Sequence, residues 1–446
     1  MVLLLSCNKD FLKENSRTDL DEPNSVKDLW ALLDNDNVMN SAPVMGELSS
    51  DNYYISYEYW QSLSLKHEQN CYIWAKDIFQ GQQNSDDWSR CYAQVYYANS
   101  VIEKLREIPG SSSGNIEMNA ILGSALFYRA NAFFNLAQVF APAYDSSTAA
   151  SDLGLPIRTR SNIHENVERH TVKQTYDSIL SHLDRAENLV YPNIQFAYKN
   201  RVSKPAVLAL KARVYLSMGA YAQAGEYANK VLALYDSLLN YNELNSTLTL
   251  PFTRENKEVI FQSQFHFNTR IMASFVYPDV LIDSVLLGMY DSTDLRLTYF
   301  YISQFPEKYN MKGNYSGTVF PFAGLATDEL YLIRAEANAI SGKTADAIND
   351  INQLLENRYV AGTFTPLTPG TPADVLQLVR NERRKELAFR GLRWSDLRRY
   401  NREGANITLQ RVLNGTTYTL PPNSKLYVLP LPPEVITLGG LVNNDR

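Results

Sequence analysis

Two segments more than 120 residues apart repeat one spacing of small residues. Ala212, Gly219 and Ala224 stand seven and then five positions apart, and Ala335, Gly342 and Ala347 do the same. Alanine at such positions lets two antiparallel helices approach closely, and glycine supplies the tight turn between them. The spacing predicts two helical hairpins, within 208–234 and 330–355. A chain made of such units buries its core by stacking them.

Helical periodicity also runs through 86–108, 115–140, 171–190 and 203–218, where apolar residues recur at three and four positions. Pro109, Gly110 and the run Ser111-Ser112-Ser113-Gly114 break the first of these from the second. The spacing is the tetratricopeptide pattern. The helices of 115–140 and 171–190 read as a third, interrupted copy, with 141–170 an excursion between partners, and the helix from Asp86 belongs to a fourth. Tandem repeats would follow one another directly, whereas here long excursions separate them. The expected fold is therefore mainly α: about four tetratricopeptide-like hairpin pairs over 86–235 and 327–400. Over them lies an irregular, loop-rich aromatic layer with a few short strands, from 41–85 and 236–326. Within the layer, 257–267 alternates, with Val259, Phe261, Phe265 and Phe267 on one face and Gln262, Gln264 and His266 on the other. It reads as one short strand.

Residues 380–400, RNERRKELAFRGLRWSDLRRY, are dense in Arg and Lys. Leu376, Val379, Leu387 and Phe389 fall near helical spacing, Gly391 is a stop, and a second short helix runs from Arg393 toward Tyr400 with Trp394 and Leu397 inward. Such a cluster invites a nucleic-acid reading. Two observations favour a structural one. Glu382, Glu386 and Asp396 sit three or four residues from arginines, so the charges can pair. The whole chain carries net charge −6, opposite in sign to a phosphate-backbone binder.

The sequence offers no constellation of catalytic residues. The five histidines, His67, His164, His170, His182 and His266, lack zinc-helix spacing. No nucleophile elbow, phosphate loop or dinucleotide fingerprint is present. Asp86-Asp87 reads as a charge cluster at a helix N-terminus. A two-carboxylate glycosidase stays open, because its acids need not be close in sequence. The expectation is a non-enzyme without cofactor or metal. Cys71 and Cys91 show no metal spacing; a disulfide and two buried thiols both remain open. No run of about 18 apolar residues offers a membrane-spanning helix.

The 380–400 stretch resembles the C-terminal signature of the SusD-like (SusD/RagB) family of outer-membrane lipoproteins. The family's paired arginine, Glu-Leu, Gly, Arg and Asp-Leu stand here as Arg383, Arg384, Glu386, Leu387, Gly391, Arg393, Asp396 and Leu397. Arg390 replaces a frequent Glu, which puts a local ion pair in doubt. The Pro-rich stretch 427–436 and then Leu441 to Asn444 fit the family's C-terminal end, with Gly439-Gly440 in place of the usual Asn-Pro. Cys7, Asp10-Phe11-Leu12 and residues 25–33 fit its mature N-terminus. The motif is structural in the family, so Arg383, Arg384, Glu386, Gly391, Arg393 and Asp396 are expected to stabilise the fold. Met1 to Cys7 reads as the tail of a lipoprotein signal peptide, with Leu4 and Ser6 before a lipidated Cys7, and 8–446 as one SusD-like domain.

The resemblance implies a lipid-anchored, surface-exposed protein of the bacterial outer membrane that captures oligosaccharide and passes it to a SusC-like TonB-dependent transporter. Alternatives are a peptide-binding member of the same family and a tetratricopeptide scaffold with only protein partners. Tyrosine is abundant, with 29 copies. A flat ring matches the apolar face of a sugar. Tyr54, Tyr57, Trp60 and Trp74 in the first excursion are the leading glycan-binding candidates, and Tyr290, Tyr309 and Tyr315 in the second come next.

Overall fold

In the computed structural model, residues 23–108, 115–266, 269–273, 277–305 and 308–446 are described. The repeated spacing folds as expected. Helices Lys204–Met218 and Tyr221–Leu232 form one hairpin, and Thr327–Ile340 and Thr344–Glu356 form the other. Ala212, Ala224, Ala335 and Ala347 are all fully buried in these hairpins. Both turn glycines are left-handed, Gly219 at φ 74° and Gly342 at φ 78°. No atom stands near a Cβ built on Gly342, so backbone conformation alone demands glycine there. The two hairpins stack through Tyr221–Leu232 and Thr327–Ile340, where a Cβ on Gly225 would meet Ala337 at 2.8 Å.

The interrupted copy is also present. Helix Ile116–Phe140 packs between Asp86–Leu105 and Val172–Ala186. Because it is covered on both sides, 19 of its 25 residues are buried, and it shows no polar face. The excursion between partners holds a short antiparallel pair, Leu153–Pro156 with Arg169–Thr171. Thr171 then opens the next helix through a capping box with Gln174. The signature helices Pro372–Glu386 and Arg393–Arg402 follow the second hairpin, the first of them packed against it, with Trp394 and Leu397 buried as predicted. Phe389 and Gly391 both take left-handed φ in the turn between them. At the N-terminal end, Ser25 and Asp28 form a capping box for Val26–Leu33. Cys7, Phe267 and the break at 109–114 lie outside the described residues.

The two excursions interlock rather than lying side by side. Tyr53–Ile55 pairs antiparallel with Val280–Ile282, matching Tyr53 to Ile282 and Ile55 to Val280. Ser41–Ala42 pairs parallel with Gln264–Phe265. The stretch expected as one strand is two, Val259–Phe261 and Gln264–Phe265. Two of its three polar positions are buried. Gln262 and His266 are buried, with Gln262 Nε2 donating to the Tyr315 carbonyl and His266 Nε2 lying 2.6 Å from Asp87 Oδ1. Asp87 is thus more than part of a charge cluster: it also accepts the Val44 and Met45 amides at 3.0 and 2.7 Å, tying the scaffold to the layer. A C-terminal hairpin, Leu409–Leu413 with Thr416–Leu420, turns on Asn414-Gly415, both left-handed. Cys71 and Cys91 are buried free thiols, and burial pushes Cys71 up to about 12. No described helix is long and apolar enough to cross a membrane.

Candidate functional site

The strand Tyr53–Ile55 sets the geometry of the first aromatic cluster. Its period of two turns Tyr53 and Ile55 inward, where both are buried, and leaves Tyr54 39% exposed. Ser56 caps the following helix, Tyr57–Ser62, by accepting the Tyr59 amide at 3.1 Å. Tyr57 and Trp60 are three apart on that helix, so they share a face and stack, with centroids 5.9 Å apart and planes 20° apart. Trp60 Nε1 donates to the Gln69 carbonyl at 2.9 Å, and Gln69 Nε2 donates back to the Trp60 carbonyl at 3.1 Å. The pair is therefore fixed in place yet only half-buried.

The second excursion adds rings near the same strand pair. Asn310 Nδ2 donates to the Pro278 and Val280 carbonyls at 3.0 and 2.6 Å, which brings the half-buried Tyr309 beside the strand that pairs with Tyr53–Ile55. Glu68, buried within the first excursion, accepts the Arg270 amide at 2.9 Å and the Thr269 hydroxyl. Exposed Arg270 then lies 5.8 Å from the half-buried Tyr277 ring. Flat rings and polar groups at a fixed, wet surface suit reversible stacking with a sugar.

Trp74, Tyr290 and Tyr315 are not part of that ledge. Each is buried, with its polar tip consumed internally. Trp74 Nε1 donates to the Ser49 carbonyl at 2.9 Å. The Tyr290 hydroxyl donates to the Lys385 carbonyl at 2.7 Å and lies 2.9 Å from that of Tyr301. Tyr315 donates to Glu258 at 2.7 Å. These rings pack the layer onto the scaffold and offer no open face to a ligand.

The basic signature is a buried ion-pair network. Arg383 reaches Asp396 at 2.8 Å, and Arg399 joins Asp396 at 3.1 Å and Glu336 at 2.7 and 2.9 Å. Only Glu382–Lys385 and Asp396–Arg399 pair at helical spacing. The rest reach across to neighbouring segments, from Arg383–Asp396 between the two signature helices to Arg393–Asp51 in the layer. Arg393 grips Asp51 with both branches at 2.7 and 2.9 Å, while Arg384 contacts Asp51 and Asp283 at 3.2 Å. Burial raises the Asp51 carboxyl, but Arg393 and then Arg384 outweigh it and hold it well below the usual range. Gly391, at φ 76°, donates its amide to Glu47 at 3.1 Å. Arg390, standing where the family has Glu, pairs with Asp328 instead.

Glu258, Asp328 and Glu386 bring carboxylate oxygens within 4.8 Å of one another, all buried. Arginines supply the positive charge there. Arg358 donates to Glu258 at 2.9 Å and to Glu386 at 2.9 Å, and Arg296 donates to Glu386 at 3.0 Å. Burial pushes Asp328 up to about 7 against the pull of Arg390; it raises Glu386 too, but Arg358 and Arg296 outweigh it there and hold that carboxyl low. With these oxygens taken by guanidinium groups, the cluster is a structural cross-link between layer and scaffold.

One surface feature escaped the sequence. A polar cleft of about 250 Å³ is bounded by Asp36, Asn40, Arg254, Gln264 and His266, among others. Its walls come from three distant stretches, and no local motif announces it.

Comparison with known proteins places this architecture. A family model described as starch-binding, associating with the outer membrane, matches residues 10–216, and the SusD family model matches 292–443. The chain belongs to the SusD-like family of sugar-binding proteins. SusD-like protein P2 of Formosa agariphila is 26% identical, over 80% of this chain and 79% of that protein; SusD-like protein P38 of the same organism is 22% identical over 74% of each. A SusD superfamily crystal structure from Bacteroides thetaiotaomicron superposes with TM-score 0.76 at 21% identity, covering 95% of this chain and all of that one. A laminarin-binding SusD-like protein superposes with TM-score 0.68 at 18% identity, covering 94% and 98%.

Proposed function

We propose that this chain is a cell-surface glycan-binding lipoprotein that captures oligosaccharide without catalysis. It would be held at the outer membrane by lipid on Cys7 and deliver its ligand to a SusC-like TonB-dependent transporter. The stacked, half-exposed Tyr57–Trp60 pair beside Tyr54 carries the reading. Three rings set on a capped helix and a paired strand form a preorganised surface, which spares a ligand the cost of ordering them. Tyr309, Tyr277 and Arg270 extend it. The family's outer-membrane association supports the location.

Titration calorimetry with laminari-, malto-, xylo- and galacturono-oligosaccharides tests it. At least one should bind the wild-type chain, and Trp60→Ala should weaken that binding about 3–10-fold, the worth of one aromatic contact. Unchanged binding by a folded Trp60→Ala would move the site elsewhere. No binding across the panel would put a peptide ligand first.

A further inference from the structure

Arg411 is buried, yet it reaches no carboxylate among the described residues. It points inward from the strand Leu409–Leu413, whose burial alternates residue by residue. Its Nη1 donates to the Tyr53 carbonyl and its Nη2 to the Ser50 carbonyl. Its guanidinium lies 5.0 Å from the Tyr53 ring, 4.2 Å from Tyr72 and 5.5 Å from Trp74. Nearby Arg383 and Arg393 hold acids, Asp396 and Asp51, whereas buried Arg398, like Arg411, donates to two backbone carbonyls, those of Gln138 and Ala141. Burying a guanidinium against carbonyls and rings alone is an expensive way to fill space. It is, however, an effective way to fix a short strand. The two carbonyls it takes bracket residues 50–53, and the next residue is the outward Tyr54. Arg393 and Arg384 hold the same segment through Asp51.

We infer that Arg411 is a positioning residue for the aromatic ledge: from the C-terminal hairpin it locks the inner side of Tyr53–Ile55, so that Tyr54, Tyr57 and Trp60 are presented in one arrangement. This rests on the ledge being the glycan surface. It gives the C-terminal hairpin, which is far from the ledge in sequence, a part in binding. The planar fork matters, because two carbonyls must be met at once. Arg411→Met keeps the apolar stem and removes the fork, and Arg411→Lys keeps the charge without the fork.

The test is a binding cycle on the laminari-, malto-, xylo- or galacturono-oligosaccharide that the wild-type chain binds most tightly. Arg411→Met should weaken binding about 5–10-fold, and Arg411→Lys should not restore it. In a Trp60→Ala/Tyr54→Ala background the same substitution should cost less than 2-fold, because the rings it positions are gone. Hydrogen exchange at the Tyr54 and Ile55 amides should quicken in Arg411→Met while the helix Ile116–Phe140 stays protected. A full loss in both backgrounds, or exchange that quickens evenly across the chain, would show a merely structural residue and overturn the inference. If Arg411→Met does not fold, the exchange and binding of Arg411→Lys decide in the same way. Failure of the glycan reading looks different: Trp60→Ala and Tyr54→Ala are then themselves silent.

Discussion

The scaffold hairpins and the layer above them are held by different physics. In Lys204–Leu232 and Thr327–Glu356, buried alanines let neighbouring helices approach and left-handed glycines close the turns, with ion pairs such as Arg213–Glu329 and Arg334–Asp350 added between helices. In the layer, strands are two to five residues long, and two of the pairs join segments more than 200 positions apart, as Ser41 with Gln264 and Tyr53 with Ile282. What makes those strands rigid is charge. Half-buried Asp51 and buried Glu258 are held by arginines from the C-terminal third, and Glu386 on the scaffold shares Arg358 with Glu258. A layer pinned by buried charges cannot lose one partner without stranding the other.

The largest effect should therefore come from the layer's pins. Arg393→Ala leaves half-buried Asp51 with only Arg384 beside it, and should cost about 2–4 kcal/mol in urea unfolding. A variant of normal stability that lost only ligand affinity would break the comparison, by moving the signature into the binding site. Gly342→Ala should cost less, about 1–2 kcal/mol, because it forces a left-handed alanine into open space. A cost equal to that of Arg393→Ala would mean the scaffold is no more forgiving than the layer.

Acid should reach the scaffold's own buried ion pairs more gently. Burial raises the Glu336 carboxyl, but Arg399 outweighs it and holds it at about 2, below its ordinary 4.5. A depressed carboxyl stabilises the fold above the unfolded-state value, and that stability is lost as pH falls from 4.5 toward 2. The wild-type chain should lose stability over that window more steeply than Glu336→Gln, by acid titration of its Tm. Parallel curves would remove Glu336 from the network. The smallest effect on stability should come from Trp60→Ala, within about 1 kcal/mol for a half-exposed ring.

The difference between the regions also explains what could be read in the sequence. Ala212, Gly219 and Ala224 act through neighbours a few residues away, so their spacing carries the hairpin. Trp394 and Leu397 were placed by helical period for the same reason. Tyr290 and Tyr315 look no different from Tyr54 in sequence. Their burial is decided by Lys385 and Glu258, 95 and 57 positions distant. Asp87 reads as a helix-end charge, but its amide partners belong to another segment. Glu386 and Arg393 sit at spacings that allow local pairs, yet their partners lie across the fold. The C-terminal hairpin did carry a local signal, Asn414-Gly415 between alternating strands. The polar cleft at Asp36 and Arg254 carried none.

The central claim is that a rigidly mounted aromatic ledge, and not the buried rings or the polar cleft, receives the ligand. A crystal structure with the tightest-binding oligosaccharide of the panel tests it most directly. A sugar ring stacked at about 4 Å on Tyr54, Tyr57 or Trp60, with the strand Tyr53–Ile55 unmoved, is the predicted result. A sugar seated in the cleft between Asp36, Arg254 and His266, with the ledge bare, would contradict it.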